Sequence, residues 1–338
     1  MIRRCLVATV AVASVLLQTT LLTACAPTDR LSFVCSNDEK ICEQWKNRFA
    51  VDTGIETQYQ RLPTSEALAR IQAARSHPEF DLWVGGPSEN YVVAASKGLL
   101  ASYTPAGVED IPAQYRDPNG RWYGVYASIL ALCSNPDLLQ ELGKNAPQSW
   151  KELEDPAWRS WISGSSPLTS GTAFSALWAQ ARIFPDPEAH LQAVYSNITR
   201  YTHSGTAPAA VVARGEAAVA ISFAPYCQQV TSGSGQSLNI HYPREGTAYE
   251  VGAGAVLAKA HNPESAQRML DWLTSRPGQE IISDNAVGQI PISRQLPHHL
   301  EQVLASSSIK VLPSDVNRAA QERERWLSWF SSFQTQVQ

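Results

Sequence analysis

The sequence lacks the short motifs that carry most nucleotide, metal and hydrolase chemistry. It has no Gly-x-Ser-x-Gly elbow and no phosphate loop ending in Gly-Lys-Ser/Thr, and Gly252-Ala-Gly254 is not continued by the third glycine of a dinucleotide fingerprint. It has no Cys-x-x-Cys and no His-x-x-x-His pair. We therefore predict that the protein is not an enzyme and carries no cofactor and no resident metal. A hydrolase of an unfamiliar kind is the remote alternative, since fold alone restricts function only loosely.

The chain is also short of positive charge. Its 27 Lys and Arg face 31 Asp and Glu, and loss of residues 1–24 would remove Arg3 and Arg4 but no acid, leaving a net charge of about −6. A nucleic-acid partner is excluded, because phosphate backbones require a basic surface. With 338 residues the chain exceeds the roughly 250 to 300 at which single cores stop growing. Two domains are expected.

The first 24 residues differ from the rest. Arg3 and Arg4 precede an apolar run that closes on Leu22-Thr23-Ala24-Cys25. This ending resembles the lipobox of bacterial lipoproteins, which predicts a signal peptide over residues 1–24, a lipidated Cys25 and a linker over 25–30. A permanent membrane-spanning helix is the alternative.

Export would place the remaining cysteines in an oxidising compartment. Cys35 and Cys42 are close in sequence, and we predict a local disulfide between them. Cys133 and Cys227 are less constrained, and either two buried thiols or a second bridge fits the sequence.

Strand and helix patterns alternate along the mature chain. Extended patterns cover residues 31–35, 55–61 and 80–84, and helical spacing covers 38–51 and 64–75. The alternation predicts an α/β fold with a parallel sheet. A second α/β unit follows residue 121, and residues 316–333 form the clearest helix near the end of the chain. We assign residues 31–127 plus 251–295 to lobe 1, 128–250 to lobe 2, and 296–338 to a C-terminal helical segment.

The tetrapeptide SGTA occurs twice, at residues 170–173 and 204–207, each time before a predicted helix. Thr64-Ser65 and Gly86 to Ser88 begin two further helices. Helix starts present free N–H groups and a partial positive charge, and in open α/β sheets such turns gather at the ligand edge. We expect these four turns to line one cleft that holds an oxyanion without any basic side chain. The alternative is that each Ser and Thr only caps its own helix.

Several longer stretches carry a family resemblance. "FDLWVGGPSENYVVAASKGLLASY", "PLTSGTAFSAL" and "THSGTAPAAVVARGEAAVAISFAP" are similar to segments of the solute-binding lipoproteins of bacterial ABC importers. The nearest branch is that of ferric-iron, 2-aminoethylphosphonate and hexose-phosphate binding proteins, and the resemblance runs from about Leu31 to Ile292. It implies the α/β, two-lobe periplasmic-binding-protein fold of the class II type, with a ligand cleft between hinged lobes.

The resemblance also implies the partners and the location. The cargo would be a small-molecule anion or a metal, and the protein would hand it to an ABC permease driven by an ATPase. We expect a monomer outside the cytoplasmic membrane, periplasmic or at the cell surface, that contacts the membrane through its lipid anchor.

The family's cleft positions fall on turns of this sequence. The resemblance implies contacts from Ser36, Asn37, Thr64, Ser65, Gly85, Gly86, Ser170, Gly171, Thr172, Ser204, Gly205, Thr206, Tyr226, Tyr249 and Glu250.

Tyr226 bears on the cargo. It stands where metal-binding members carry tyrosines and sugar-phosphate members a His-Asp pair, but Cys227 follows it, so neither pattern is complete. The hydroxyl turns favour a phosphonate or phosphate ester. Ferric iron held by Tyr226, Tyr249, Glu250 and an anion is the alternative cargo, because these are hard oxygen ligands.

Overall fold

The computed structural model describes residues 29–283 and 288–337. The predicted signal peptide and Cys25 lie outside the described residues. The strands are β1 Arg30–Cys35, β2 Glu56–Arg61, β3 Leu82–Pro87, β4 Tyr123–Ser134, β5 Ile162–Ser165, β6 Tyr201–Thr202, β7 Val219–Phe223, β8 Asn239–His241, β9 Tyr249–Val256 and β10 Ile290–Pro291. The helices are α1 Glu39–Thr53, α2 Thr64–Ala73, α3 Glu89–Ser96, α4 Pro136–Glu141, α5 Gly171–Ile183, α6 Pro187–Ser196, α7 Ala207–Ala213, α8 Ala224–Ser234, α9 Pro263–Thr274, α10 Arg276–Ser283, α11 Leu300–Ser306 and α12 Val316–Val337. None of these helices has both the length and the apolar character needed to cross a bilayer.

The strands form one mixed sheet in the order β2-β1-β3-β9-β4-β7-β5-β6. The predicted parallel sheet is therefore wrong in part: β1, β2 and β3 are parallel, but β9 runs antiparallel to both β3 and β4. The long strand β4 changes partners, because its residues up to Ile129 pair with β9 and those from Leu130 pair with β7. Strands β9 and β4 thus join one end of the sheet, β2-β1-β3, to the other end, β7-β5-β6.

The hydrophobic core follows the same division. One large cluster takes its buried side chains from residues 130–248 and from α12, and three smaller clusters take theirs from residues 31–127 and 251–300. The apolar face of α12, with Trp326, Phe330 and Phe333, belongs to the large cluster, so the C-terminal helix packs into the core of the 128–250 part. The exact lobe boundaries stay a prediction.

Helix ends show which predicted caps form. Asp38 accepts a hydrogen bond from the Lys40 N–H at the start of α1, and Gly54 ends α1 in the left-handed region with φ of 73°. The predicted Thr64-Ser65 cap of α2 is wrong, because Pro63 occupies the N-cap position and no side chain bonds there. The Thr64 hydroxyl is therefore not used by its own helix.

Two disulfides cross-link the described chain. One joins Cys35 to Cys42, with the Cα atoms 6.0 Å apart. The other joins Cys133 on β4 to Cys227 on α8, with the Cα atoms 6.4 Å apart. Of the two arrangements left open for Cys133 and Cys227, the structure has the second bridge.

Candidate ligand-binding site

Turns from both ends of the sheet meet at one small cavity. Its lining includes nine of the fifteen residues predicted as contacts, namely Ser36, Thr64, Ser170, Gly171, Thr172, Ser204, Gly205, Thr206 and Tyr226, together with the unpredicted Arg61 and Pro63. The cavity volume is about 20 Å³, little more than one water molecule occupies. The two sides of the cleft are therefore closed upon each other in this structure.

The two SGTA turns contact each other at this cavity. A Cβ atom at Gly205 would overlap the hydroxyl of Thr172, and one at Gly171 would lie 2.6 Å from Pro87 Cδ. Only glycine permits both approaches. Two serine hydroxyls hold the second turn: Ser165 donates to the Ser204 carbonyl at 2.9 Å, and Ser222 donates to the Gly205 carbonyl at 3.1 Å. The repeated motif thus brings two hydroxyl-bearing turns into one wall.

The hydroxyls of this wall are only partly used within the protein. Ser170 Oγ accepts the Ala173 N–H at 3.2 Å, so Ser170 caps α5, as the alternative interpretation of SGTA proposed. Thr206 makes no such bond at α7. Gly171 and Thr172 of the first turn of α5 line the cavity, so this 13-residue helix begins at the cavity, whereas the seven-residue α7 contributes the hydroxyl of its N-cap residue, Thr206.

Arg61 is the residue that the sequence interpretation missed. It is the last residue of β2, and its guanidinium donates to Ser204 Oγ at 2.6 Å and more weakly to Thr206 Oγ1 at 3.5 Å. The expectation that these turns line a cleft without any basic side chain is therefore wrong for this cavity. Within the described residues the lining contains one arginine, several hydroxyls and no carboxylate.

Further contacts cross the closed cleft outside the cavity. The Ser65 N–H donates to the Thr169 carbonyl at 3.2 Å, and His203 Nε2 lies 3.0 Å from Glu66 Oε2. Ser65 does not line the cavity. Its hydroxyl instead accepts a hydrogen bond of 2.7 Å from Arg323 on α12, which ties the C-terminal helix to the start of α2.

Gly85 and Gly86 do not line the cavity either. Both have positive φ, of 92° and 76°, and both are in close packing: a Cβ at Gly85 would meet the backbone of Ser36 and Asn37, and one at Gly86 would overlap the Thr64 hydroxyl. The Gly86 N–H is taken by the Tyr126 hydroxyl at 2.9 Å. Within the described residues these glycines lie behind the lining, and the predicted fourth turn does not line this cavity.

Tyr249 and Glu250 were predicted at the site, but they line a separate cavity of about 40 Å³ beside α12. Burial raises the pKa of Glu250 well above its usual range, and nearby Glu89 adds to this. Burial likewise raises the pKa of Tyr226 well above its usual value, with a smaller contribution from Glu250. Burial thus favours the neutral phenol of Tyr226, which can offer a hydrogen bond, and the protonated form of Glu250.

No group of three His, Cys, Asp or Glu side chains in the described part of the chain is arranged to hold a metal ion. What the cavity offers is a guanidinium from one side and hydroxyls from two facing sides. This is the donor set of a protein that encloses a small solute between two lobes.

Comparison with known proteins gives the same class. The family model described as bacterial extracellular solute-binding protein matches residues 32–285, and the chain belongs to that family. A protein of Haemophilus influenzae is 30% identical over 259 residues, which span 75% of either chain. The Fe(3+)-binding periplasmic protein of Serratia marcescens is 26% identical over 253 residues, 73% of this chain and 74% of its own.

A solved structure extends the likeness to the fold. The periplasmic binding protein AfuA from Actinobacillus pleuropneumoniae, with exogenous fructose-6-phosphate bound, has 28% identity and a TM-score of 0.84 over 90% of this chain and 98% of its own. The predicted two-lobe α/β fold is confirmed. The protein is the extracytoplasmic solute-binding component of an ABC importer, which takes up a small-molecule cargo and works with a permease and an ATPase.

Proposed function

We propose that the cargo is a small solute with a phosphate-ester or phosphonate group. The observation that carries this proposal is Arg61, whose guanidinium is hydrogen-bonded to Ser204 across a cavity whose described lining has several hydroxyls and no carboxylate. Guanidinium forks match phosphate oxygens, and hydroxyls and N–H groups at a helix start donate to the remaining ones. The fructose-6-phosphate bound by AfuA agrees with this ligand class.

The same contacts suggest how the solute is trapped. We propose that residues 31–127 plus 251–295 and residues 128–250 move as two lobes about β4 and β9. Arg61 and Thr64 then approach the anion from one lobe, and Thr172, Ser204 and Thr206 from the other. A solute that contacts both sides gains these bonds only after closure, and this differential affinity shifts the population toward the closed form.

Ferric iron is the alternative cargo, favoured by the relative from Serratia marcescens. It requires several anionic oxygen ligands. Here Tyr226 is the one tyrosine in the described lining, and its raised pKa disfavours the phenolate form. Tyr249 and Glu250 line another cavity. The phosphorylated solute is therefore the better-supported proposal.

One experiment separates the two cargoes. Purified protein is examined by native mass spectrometry for a retained solute and then titrated in a calorimeter with inorganic phosphate, fructose 6-phosphate, 2-aminoethylphosphonate and ferric citrate. We expect at least one phosphorus-containing ligand to bind near micromolar affinity, about −8 kcal/mol. Binding of iron with a visible tyrosinate absorption band, and of no phosphorus compound, would reject the proposal.

We also propose that Cys25 is the lipidated first residue of the mature protein, a proposal supported by the sequence Leu22-Thr23-Ala24-Cys25 alone. The intact mass of protein from the membrane fraction should equal residues 25–338 plus the attached acyl groups. A Cys25→Ala variant should lose that added mass. Cys5→Ala, within the predicted signal peptide, is the control and should leave the mature mass unchanged. A lipid-free wild-type mass would contradict the anchor.

A further inference from the structure

Two buried amides form a reciprocal pair directly behind the cavity. Asn37 Nδ2 donates to Gln289 Oε1 at 3.0 Å, and Gln289 Nε2 donates to Asn37 Oδ1 at 3.0 Å. Asn37 is fully buried and Gln289 is 4% exposed. The residues are 252 positions apart, so the pair ties the turn after β1 to the segment that begins β10. A two-bond amide pair of this kind fixes both side chains in one orientation.

Asn37 in turn holds Arg61. The Arg61 Nε–H donates to the Asn37 main-chain carbonyl at 3.1 Å, while the other end of the same guanidinium reaches Ser204 and Thr206. Asn37 was predicted as a ligand contact, but the structure places it behind the cavity, in contact with the arginine. A planar guanidinium anchored at Nε has its outer nitrogens aimed in one direction.

Gln289 is itself placed by the strands that join the two ends of the sheet. Ile290 pairs with Ala127 on β4, and Gln289 Nε2 is 3.4 Å from the hydroxyl of the next β4 residue, Ser128. Gly288, with φ of 69°, precedes it, and a Cβ there would overlap the Gln228 side chain on α8. Gln289 therefore sits where β4, α8 and the β1 turn come together.

We propose that Gln289 is a positioning residue for the anion site: through Asn37 it holds the Arg61 guanidinium in the direction that binds the solute. The proposal rests on the proposed function of Arg61. Gln289 is not among the lining residues and is far from them in the sequence. The proposal nevertheless assigns it a share of the affinity for the anion. Ser128 lies next to the point where β4 changes its pairing partner from β9 to β7. The contact between Gln289 and Ser128 therefore connects the anion site to the strands that join the two ends of the sheet.

The test compares two buried glutamines. Gln289→Met removes the amide at constant length, and Gln279→Met is the matched control. Gln279 is also fully buried, but it bonds only to main-chain groups, the carbonyls of Val125 and Leu273 and the N–H groups of Ile292 and Ser293. Both variants lose buried hydrogen bonds and stability, and only Gln289→Met loses the contact to Asn37.

The first readout needs no ligand. In the wild-type protein the exchange of the Arg61 Nε–H with solvent, followed by nitrogen-15 NMR, should be slow because this hydrogen is bonded to Asn37. We expect exchange at least about tenfold faster in Gln289→Met and unchanged in Gln279→Met. Equal exchange rates in the wild type and Gln289→Met would overturn the proposal. If Gln289→Met does not fold, Gln289→Asn replaces it, since that variant keeps an uncharged amide but is one methylene too short to make the same pair with Asn37.

The second readout is affinity for inorganic phosphate by calorimetry. Gln289→Met should bind about tenfold more weakly than the wild type, and this loss should disappear when it is combined with Arg61→Met, because Gln289 acts through Arg61. An equal loss in both backgrounds, or the same loss in Gln279→Met, would show a merely structural role and overturn the proposal. Failure of the wild type to bind any phosphorus compound would reject the proposed function, while the exchange measurement would still decide whether Gln289 positions Arg61.

Discussion

Arg61→Met is expected to weaken binding of a phosphate ester or phosphonate by at least about 100-fold, which corresponds to about 2.7 kcal/mol. Each hydrogen bond to a charged group contributes roughly 1.5 to 3 kcal/mol, and a guanidinium has two terminal NH2 groups that can donate to an anion. Among the described lining residues there is no second base that could replace it. Methionine keeps much of the side-chain length, so the loss reports the charge and its donors. Calorimetry with the ligand identified from the wild-type protein measures the change.

Two companion variants define what the loss means. Arg48→Met removes an exposed arginine of α1 that pairs with Asp52 and is not among the lining residues, and it should leave affinity unchanged. Arg61→Lys keeps the charge but loses the planar fork, and should fall between the wild type and Arg61→Met. If Arg61→Met binds as tightly as Arg48→Met, the anion is held elsewhere.

Local patterns were sufficient for most helices and strands. The helix predicted over 38–51 is found as Glu39–Thr53, because the Asp38 cap and the Gly54 stop lie within the segment itself. The direction of β9 could not be predicted this way, since strand pairing depends on residues more than 100 positions away. Helix α6 was not predicted.

The residues of the candidate site could likewise be predicted only in part from the local sequence. Turns with Ser, Thr and Gly marked most of the lining, because such residues recur where a strand passes into a helix and leaves N–H groups free. Gly85 and Gly86 gave the same signal for another reason, the close approach of Ser36, Asn37 and Thr64. A glycine pattern alone does not separate a backbone that faces a ligand from a backbone that packs tightly.

Arg61 was missed although a signal existed. It ends a predicted strand three residues before Thr64, at the carboxyl edge where ligands of α/β sheets bind. However, β2 is half exposed, and its exposed positions carry polar residues such as Gln58 and Gln60. An arginine in such a strand is ordinarily solvated. Its role depends on Ser204, 143 positions later, and no local rule contains that contact.

Loss of the Cys133–Cys227 disulfide is expected to have the largest effect on stability. The two cysteines are 94 positions apart, and closing a loop of this length in the unfolded chain corresponds to about 4.7 kcal/mol. Both cysteines are fully buried in the large core cluster. The double variant Cys133→Ala, Cys227→Ala should therefore lower the free energy of unfolding in urea by at least that amount, and it should also loosen the start of α8, where Tyr226 lies next to the bridge.

The other disulfide supplies a control within the same molecule. Cys35 and Cys42 are also fully buried but only 7 positions apart, so the loop-closure contribution is about 2.5 kcal/mol. Because both double variants remove two buried sulfur atoms, the difference between them, about 2 kcal/mol, isolates the effect of loop length. Equal losses would mean that packing of the sulfur atoms dominates. A smaller loss for Cys133 and Cys227 would mean that the unfolded chain retains structure across residues 133–227, since a restricted unfolded state has less entropy for the bridge to remove.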